Sequence, residues 1–98
     1  MKQCLCIDVG GTSIKYGVIN ENKEITHYHQ VETPYDGLEN YLNLLVSIYK
    51  PYKYQVDGIS LSLPGIIDSE NGLCITGGSL TFADDLYIVS ELKKKVSY

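Results

Sequence analysis

The sequence predicts an α/β layer built on a mixed sheet, and three observations predict it. Three β-type stretches follow one another directly, a stretch of helical periodicity then crosses over to a fourth strand, and a short hairpin leads into a last helix. Neither an internal repeat nor a linker interrupts that order.

The first strand is the short apolar run Cys4-Leu5-Cys6-Ile7, and the second spans Ile14 to Ile19 with Ile14, Tyr16 and Val18 on one face. Asn20-Glu21-Asn22-Lys23 is a polar turn, after which Glu24 to Glu32 resumes with β-favouring residues and completes an antiparallel meander. Thr33-Pro34 reads as a helix start, with Thr33 as N-cap, Pro34 at the first helical position and Asp36 three residues after the threonine. Leu38, Tyr41, Leu42, Leu45, Ile48 and Tyr49 then recur at spacings of three and four, an apolar stripe that packs a helix on the sheet until Pro51 ends it.

Val56 to Leu63 supplies the next strand, with Ile59, Leu61 and Leu63 on one face and Gly58, Ser60 and Ser62 on the other. A strand reached through a helical crossover usually runs parallel to a neighbour in its sheet. Pro64-Gly65 terminates it. Ile66-Ile67-Asp68, the turn Ser69-Glu70-Asn71-Gly72 and Leu73-Cys74-Ile75 form a short hairpin, and Gly77-Gly78-Ser79-Leu80 is an open loop. The last helix carries Leu86, Val89, Leu92 and Val96 at helical spacing, with Asp84 and Asp85 at its start and Lys93-Lys94-Lys95 at its end, a charge order that complements the helix dipole.

At 98 residues the chain holds one small domain, and an active-site cleft between two domains cannot be built from it. Composition is ordinary for a globular chain. The formal net charge is −4 and the only basic run is the lysine triplet, which argues against a nucleic-acid partner. Met1-Lys2-Gln3 leads straight into a strand rather than a signal sequence, and no stretch approaches membrane-spanning length. These features predict a cytoplasmic protein with no membrane partner, whose three cysteines are thiols. Cys4 and Cys6 share a strand face and read as buried small hydrophobes, since a tetrahedral metal site needs two further ligands. His27 and His29 read as exposed residues of an edge strand. The nine tyrosines are scattered over several elements, and most of them read as partly buried packing residues with a wet hydroxyl rather than a recognition stripe.

Chemistry concentrates at Asp8-Val9-Gly10-Gly11-Thr12, a carboxylate and a glycine turn between two strands. Adjacent glycines permit the positive φ angles of a tight turn and leave the backbone N–H groups uncovered, so a polyanion can approach the main chain. Asp8, at a strand end, suits Mg²⁺, which is usually held by one or two carboxylates plus substrate phosphates. Thr12 adds a hydroxyl donor and Lys15 a mobile cation. Gly-Gly between strands is equally a common hairpin signal with no ligand implied, and the segment matches neither of the glycine-rich loops that run from a strand into a helix.

Asp8-Val9-Gly10-Gly11-Thr12 together with Leu63-Pro64-Gly65-Ile66-Ile67-Asp68, Gly72 and Gly77-Gly78-Ser79-Leu80 resembles the start of the ROK family. That family comprises bacterial sugar kinases, related repressors and unassigned reading frames on the actin-like, ribonuclease-H-like ATPase fold. The first motif occurs across the wider actin and hexokinase superfamily; the second narrows the resemblance, which covers essentially the whole chain. It implies an N-terminal ATPase-type domain, incomplete, in which Gly10 and Gly11 wrap the β and γ phosphates of ATP. Asp8 would lie near Mg²⁺, Thr12 would donate to phosphate, and Lys15 matches a frequently basic position. Pro64, Gly65, Gly78 and Ser79 would face a hexose or hexose derivative. The family often has Asn where Ser79 stands, which favours a backbone contact there.

The resemblance also implies what lies elsewhere. In ROK kinases the catalytic aspartate belongs to an Asn-Asp segment after the strand that follows the present last helix. No catalytic residue is therefore assigned among residues 1–98, and the catalytic aspartate is expected beyond Tyr98. The family's zinc cluster is expected to be absent from this chain, and Cys4-Leu5-Cys6 is not that motif. Asp68 reads as a turn-forming carboxylate. The expectation is the phosphate-gripping part of an ATP-dependent sugar kinase, inactive alone and self-associating into a homo-oligomer through a sheet edge and apolar face. Rival readings are a sugar-sensing ROK repressor, for which the start of the first strand leaves no room for a DNA-binding module, a non-catalytic interaction module, and a superfamily kinase acting on acetate or an acyl substrate.

Overall fold

A computed structural model of the chain describes residues 2–96. Tyr98, beyond which the catalytic aspartate is expected, lies outside the described residues, so the structure does not bear on that expectation. The first sheet has the order β3-β2-β1-β4, formed by β1 (Gln3–Val9), β2 (Ser13–Asn20), β3 (Ile25–Glu32) and β4 (Gly58–Ser62). β1 pairs antiparallel with β2, β2 antiparallel with β3, and β1 parallel with β4. The meander and the parallel fourth strand therefore form as predicted, and α1 (Leu38–Tyr49) makes the crossover.

Alternation on β1 sends Leu5, Ile7 and Val9 to one face, where they are buried with Ile14 and Val18 of β2 under Tyr41, Leu42, Leu45 and Ile48 of α1. Tyr41 is fully buried, and burial pushes its hydroxyl well above the ordinary tyrosine range. The tyrosines as a group do not share one role, since Tyr54 is 94% exposed. Cys4 and Cys6 face the side of the sheet away from α1 and are half-buried, which corrects the expectation that they lie in the core. Cys74 is buried as expected. His27 and His29 are exposed on the edge strand, and a register shift opposite β2 gives His27 a φ of +54°.

A second sheet pairs β5 (Ile66–Asp68) with β6 (Leu73–Thr76), the predicted hairpin. Cys74 N–H donates to the Leu86 carbonyl at 2.8 Å, and α2 (Ile88–Val96) closes the fold, its Lys95 Nζ 3.0 Å from Glu39 Oε2 of α1.

Both predicted helix starts are displaced. α1 begins after Gly37, whose φ is +139°, because Thr33 is consumed by the first hairpin: its N–H donates to Thr12 O at 3.0 Å and its hydroxyl to Gly10 O at 2.8 Å. Asp36 instead accepts from Asn40 Nδ2 at 2.7 Å. α2 begins at Ile88, three residues after Asp85, because Asp84 Oδ1 accepts from Gly77 N–H at 2.8 Å and Asp85 turns the chain with φ +57°. The acid in the first turn of α2 is Glu91, and the three lysines occupy its last turn as predicted. Among the described residues no helix is long and apolar enough to cross a membrane.

Candidate nucleotide and sugar site

Asp8 is the exposed residue of an otherwise buried strand end, between Ile7 and Val9. In the β1–β2 register it stands opposite Lys15, and in the β1–β4 register opposite Ser62, so a carboxylate, an ammonium and a hydroxyl line the same end of the sheet. The ion pairs between side chains of the described residues join Lys94 to Glu91 and Lys95 to Glu39, and neither involves Asp8 or Lys15. The fold itself makes no such use of either charge.

Beyond Asp8 the chain turns at Gly10-Gly11-Thr12, closed by Gly10 N–H donating to Ser13 O at 2.9 Å. Gly10 and Gly11 are not among the residues with positive φ, which are Gly37, Gly65, Gly72 and Gly78 among the glycines. The expected left-handed turn is therefore absent, and lack of a side chain is what these glycines contribute. A Cβ on Gly10 would come within 3.0 Å of Ser13 O, and one on Gly11 would sit 3.3 Å from Ser79 Oγ. Gly11 and Thr12 are exposed at the hairpin tip.

The second motif converges on this tip. Gly65 has φ +95°, and a Cβ there would lie 2.2 Å from Thr76 O and 2.6 Å from Gly78 N, so Pro64-Gly65 crosses the Gly77-Gly78 backbone at a distance only glycine allows. Gly78, with φ +60°, packs in turn on Gly65 and Pro64. The loop then folds back, with Leu80 N–H donating to Gly77 O at 3.0 Å, and presents an exposed Ser79 to the hairpin.

Tyr35 links the two. Its hydroxyl donates to the Gly11 carbonyl and lies 3.0 Å from Ser79 Oγ. The fold thus brings together the two groups expected from the sequence, Asp8 to Lys15 and Pro64 to Ser79, at one end of the sheet. The residues that join them are ones the sequence does not single out for this role. Thr33 carries a signal, but the one it shares with helix N-caps, and Tyr35 has none, being one tyrosine among nine. Asp84, which fixes Gly77, carries only the signal of a helix start.

Asp68 accepts from Asn71 Nδ2 at 2.8 Å and from Asn71 N–H at 3.4 Å. The Asn71 side-chain hydrogen bond holds its carboxyl below the ordinary value of 3.8, the mark of a turn-forming carboxylate. Burial raises the Cys6 thiol, which lies on the same outer face as Asp8, and the neighbouring Cys4 adds to the shift. Among the described residues no cluster of three or more His, Cys, Asp or Glu is arranged to hold a metal ion. The donor set at the hairpin suits a hard cation that arrives with phosphate oxygens rather than a cation caged by protein alone: one uncommitted carboxylate, a hydroxyl and a side-chain-free main chain.

A parallel β1–β4 pair with a meander on one side and a glycine hairpin after the first strand defines a mixed-sheet α/β domain with its glycine loops gathered at one end of the sheet. The ROK family model matches residues 4–98, and the chain belongs to the ROK family. It is 32% identical over 93 residues to an N-acetyl-D-glucosamine kinase of Mannheimia succiniciproducens, a match covering 91% of this chain and 30% of that one. It is 33% identical over 81 residues to an N-acetylmannosamine kinase of Yersinia pestis, covering 83% of this chain and 25% of the relative. The chain therefore spans less than a third of the length of these relatives. Its fold superposes with a TM-score of 0.81 on a ROK glucokinase of Streptomyces griseus in complex with glucose and AMPPNP, at 18% identity, over 97% of this chain and 30% of that one. The architecture is accordingly that of the actin-like ATPases.

Proposed function

We infer that this chain is the N-terminal, phosphate-gripping portion of a ROK sugar kinase that transfers a phosphoryl group from ATP to a hydroxyl of a hexose or hexose derivative. The observation that supports the reading most is the convergence of the Gly10-Gly11 hairpin and the Ser79 loop at one sheet end, joined through Tyr35. Phosphoryl transfer depends on placing donor and acceptor side by side, and these two loops lie side by side. Matches above 30% identity to two N-acetylhexosamine kinases favour that substrate class.

In this reading the exposed main chain of Gly10, Gly11 and Thr12 takes the β and γ phosphates, with the Thr12 hydroxyl as a further donor. Lys15 balances their charge, and Asp8 orients Mg²⁺ or its waters. Bound Mg²⁺ supplies neutralisation of charge on the transferring group. Pro64, Gly65 and Gly78 hold the loop that faces the sugar, and Ser79 offers its hydroxyl or backbone to it. No residue of the chain is assigned as proton acceptor: Asp68 is engaged with Asn71 and Asp84 with Gly77. That role is proposed for an aspartate beyond Tyr98. The purified 98-residue chain is expected to bind Mg-ATP weakly without transferring phosphate. Phosphorylation of N-acetylglucosamine, N-acetylmannosamine or glucose by that chain, abolished by Asp8→Ala, would overturn this assignment.

Self-association belongs to the same reading. β4 is an edge strand, and a groove of about 340 Å³ between it, α1 and α2 is lined by Ile59, Leu61, Val89, Leu92 and Val96. An open edge beside apolar side chains favours pairing with a second copy. A strictly monomeric species by sedimentation at high concentration would count against it.

A further inference from the structure

Tyr35 lies in the connection between β3 and α1, in which Thr33 is already bonded to the hairpin through both its N–H and its hydroxyl. Its hydroxyl has two neighbours, the Gly11 carbonyl and Ser79 Oγ. A phenol has one proton to give, and a carbonyl oxygen can only accept. The Tyr35 proton therefore goes to Gly11, and in the 3.0 Å contact with Ser79 the serine must be the donor. This fixes a direction: Ser79 O–H to Tyr35 O–H to Gly11 C=O. Ser79 Oγ, its proton committed, is left as an acceptor.

The hydrogen-bond chain does not stop at the carbonyl. Gly11 C=O and Thr12 N–H belong to one peptide group, trans like the rest of the described backbone. A hydrogen bond accepted at the carbonyl makes the N–H on its other side a better donor, and successive bonds in such a chain polarise one another. We propose that Tyr35 is a positioning residue that relays between the two loops: a sugar hydroxyl donating to Ser79 Oγ strengthens the Ser79–Tyr35–Gly11 chain and sharpens the Thr12 N–H for a nucleotide phosphate. This rests on the reading of the hairpin as a phosphate site. The close approach of the loops supports it, since even a methyl group on Gly11 would crowd the Ser79 hydroxyl at 3.3 Å.

The test uses the whole chain, with Tyr35→Phe, Ser79→Ala and the double variant, read by the Thr12 amide proton shift and by titration with Mg-AMPPNP. Tyr35→Phe is expected to move the Thr12 amide upfield and to weaken Mg-AMPPNP binding by about threefold to tenfold, the range of one hydrogen bond. Ser79→Ala, which does not touch Gly11, is expected to move the same amide in the same direction by less, and to add nothing in the Tyr35→Phe background. A purely structural role for Tyr35 would spread shifts over residues 33–37 and leave no dependence on Ser79. A Ser79→Ala shift that persists without the Tyr35 hydroxyl, or a Thr12 amide indifferent to Tyr35→Phe while Mg-AMPPNP binds, overturns the relay alone. Failure of the unaltered chain to bind Mg-AMPPNP overturns the phosphate reading and the relay together.

Discussion

The two glycine motifs of this chain look alike in sequence and do different work in the fold. At Gly65, Gly77 and Gly78 the backbone of one segment crosses another so closely that a Cβ on Gly65 or Gly77 would lie 2.2 Å from a carbonyl oxygen, and Gly65 and Gly78 have positive φ. At Gly11 the backbone has no such φ, and its nearest obstacle is the end of a serine side chain at 3.3 Å. The first set of glycines is demanded by packing within the chain. At Gly11 what a side chain would meet is the ends of two side chains, Ser79 Oγ and Tyr35 Oη, rather than backbone, so the constraint there is milder and is set by the contact between the two loops.

Substitution separates the two regions most sharply. Gly65→Ala forces both a left-handed backbone on alanine and a backbone clash, and is expected to cost about 3 kcal/mol or more, enough to leave much of a small domain unfolded in thermal or urea melts. An alanine at Gly65 with an unchanged midpoint would break the comparison. Gly11→Ala is expected to leave stability within about 1 kcal/mol while reducing Mg-AMPPNP affinity about tenfold or more, roughly the loss of 1.4 kcal/mol, as read by calorimetric titration. Equal affinity of the two proteins would show that the hairpin keeps no room for phosphate.

Smaller effects test what holds each region in place. Thr33→Val removes the hydroxyl that donates to Gly10 O at 2.8 Å and should lower stability by about 1–2 kcal/mol, with the loss of hydrogen-exchange protection centred on the first hairpin rather than on β5 and β6. High pH probes both regions at once. Burial raises the thiols of Cys6 and Cys74 above their ordinary 9.0 and the Tyr16 phenol above 10.0. Groups raised on folding give stability that is fully present below those ordinary values and lost as pH climbs through the raised ones. Melts are therefore expected to move down as pH rises above about 9, and a midpoint that stays level there contradicts the burial. The smallest effect belongs to Asp68, whose carboxyl is lowered by Asn71: its contribution is present above pH 3.8 and fades as pH falls through the lowered value. Because its hydrogen bonds stay within its own turn, to Asn71, Asp68→Asn should change neither the neutral-pH melt nor Mg-AMPPNP binding measurably.

Much of this architecture is written in local pattern. A period of two in Ile14, Tyr16 and Val18, a stripe at three and four from Leu38 to Tyr49, and glycine and proline punctuation each report on residues a few positions apart, and the meander, crossover helix, parallel strand and second hairpin all follow from them. The helix starts did not, because capping residues are judged by their immediate successors. Thr33 and Asp84 have the right successors for a cap, yet each spends a side-chain oxygen on a glycine that precedes it in the chain, Thr33 on Gly10 and Asp84 on Gly77.

The same division holds for the candidate site. Residue types and order alone were enough to single out Asp8, Gly10, Gly11, Thr12 and Lys15, because glycine, carboxylate and hydroxyl carry their chemistry with them, whereas Pro64, Gly65, Gly78 and Ser79 were singled out only through the resemblance to the ROK family. That the two groups meet, that Tyr35 ties Gly11 to Ser79, and that Gly65 is bound by backbone packing while Gly11 faces only side-chain ends were decided only by the tertiary structure. These are contacts across 24 and 44 positions of chain: the first follows from the antiparallel pairing of β2 with β3, which sets Glu32 opposite Ser13, and the second from the parallel pairing of β1 with β4, after which the Pro64–Ser79 segment reaches the same end of the sheet.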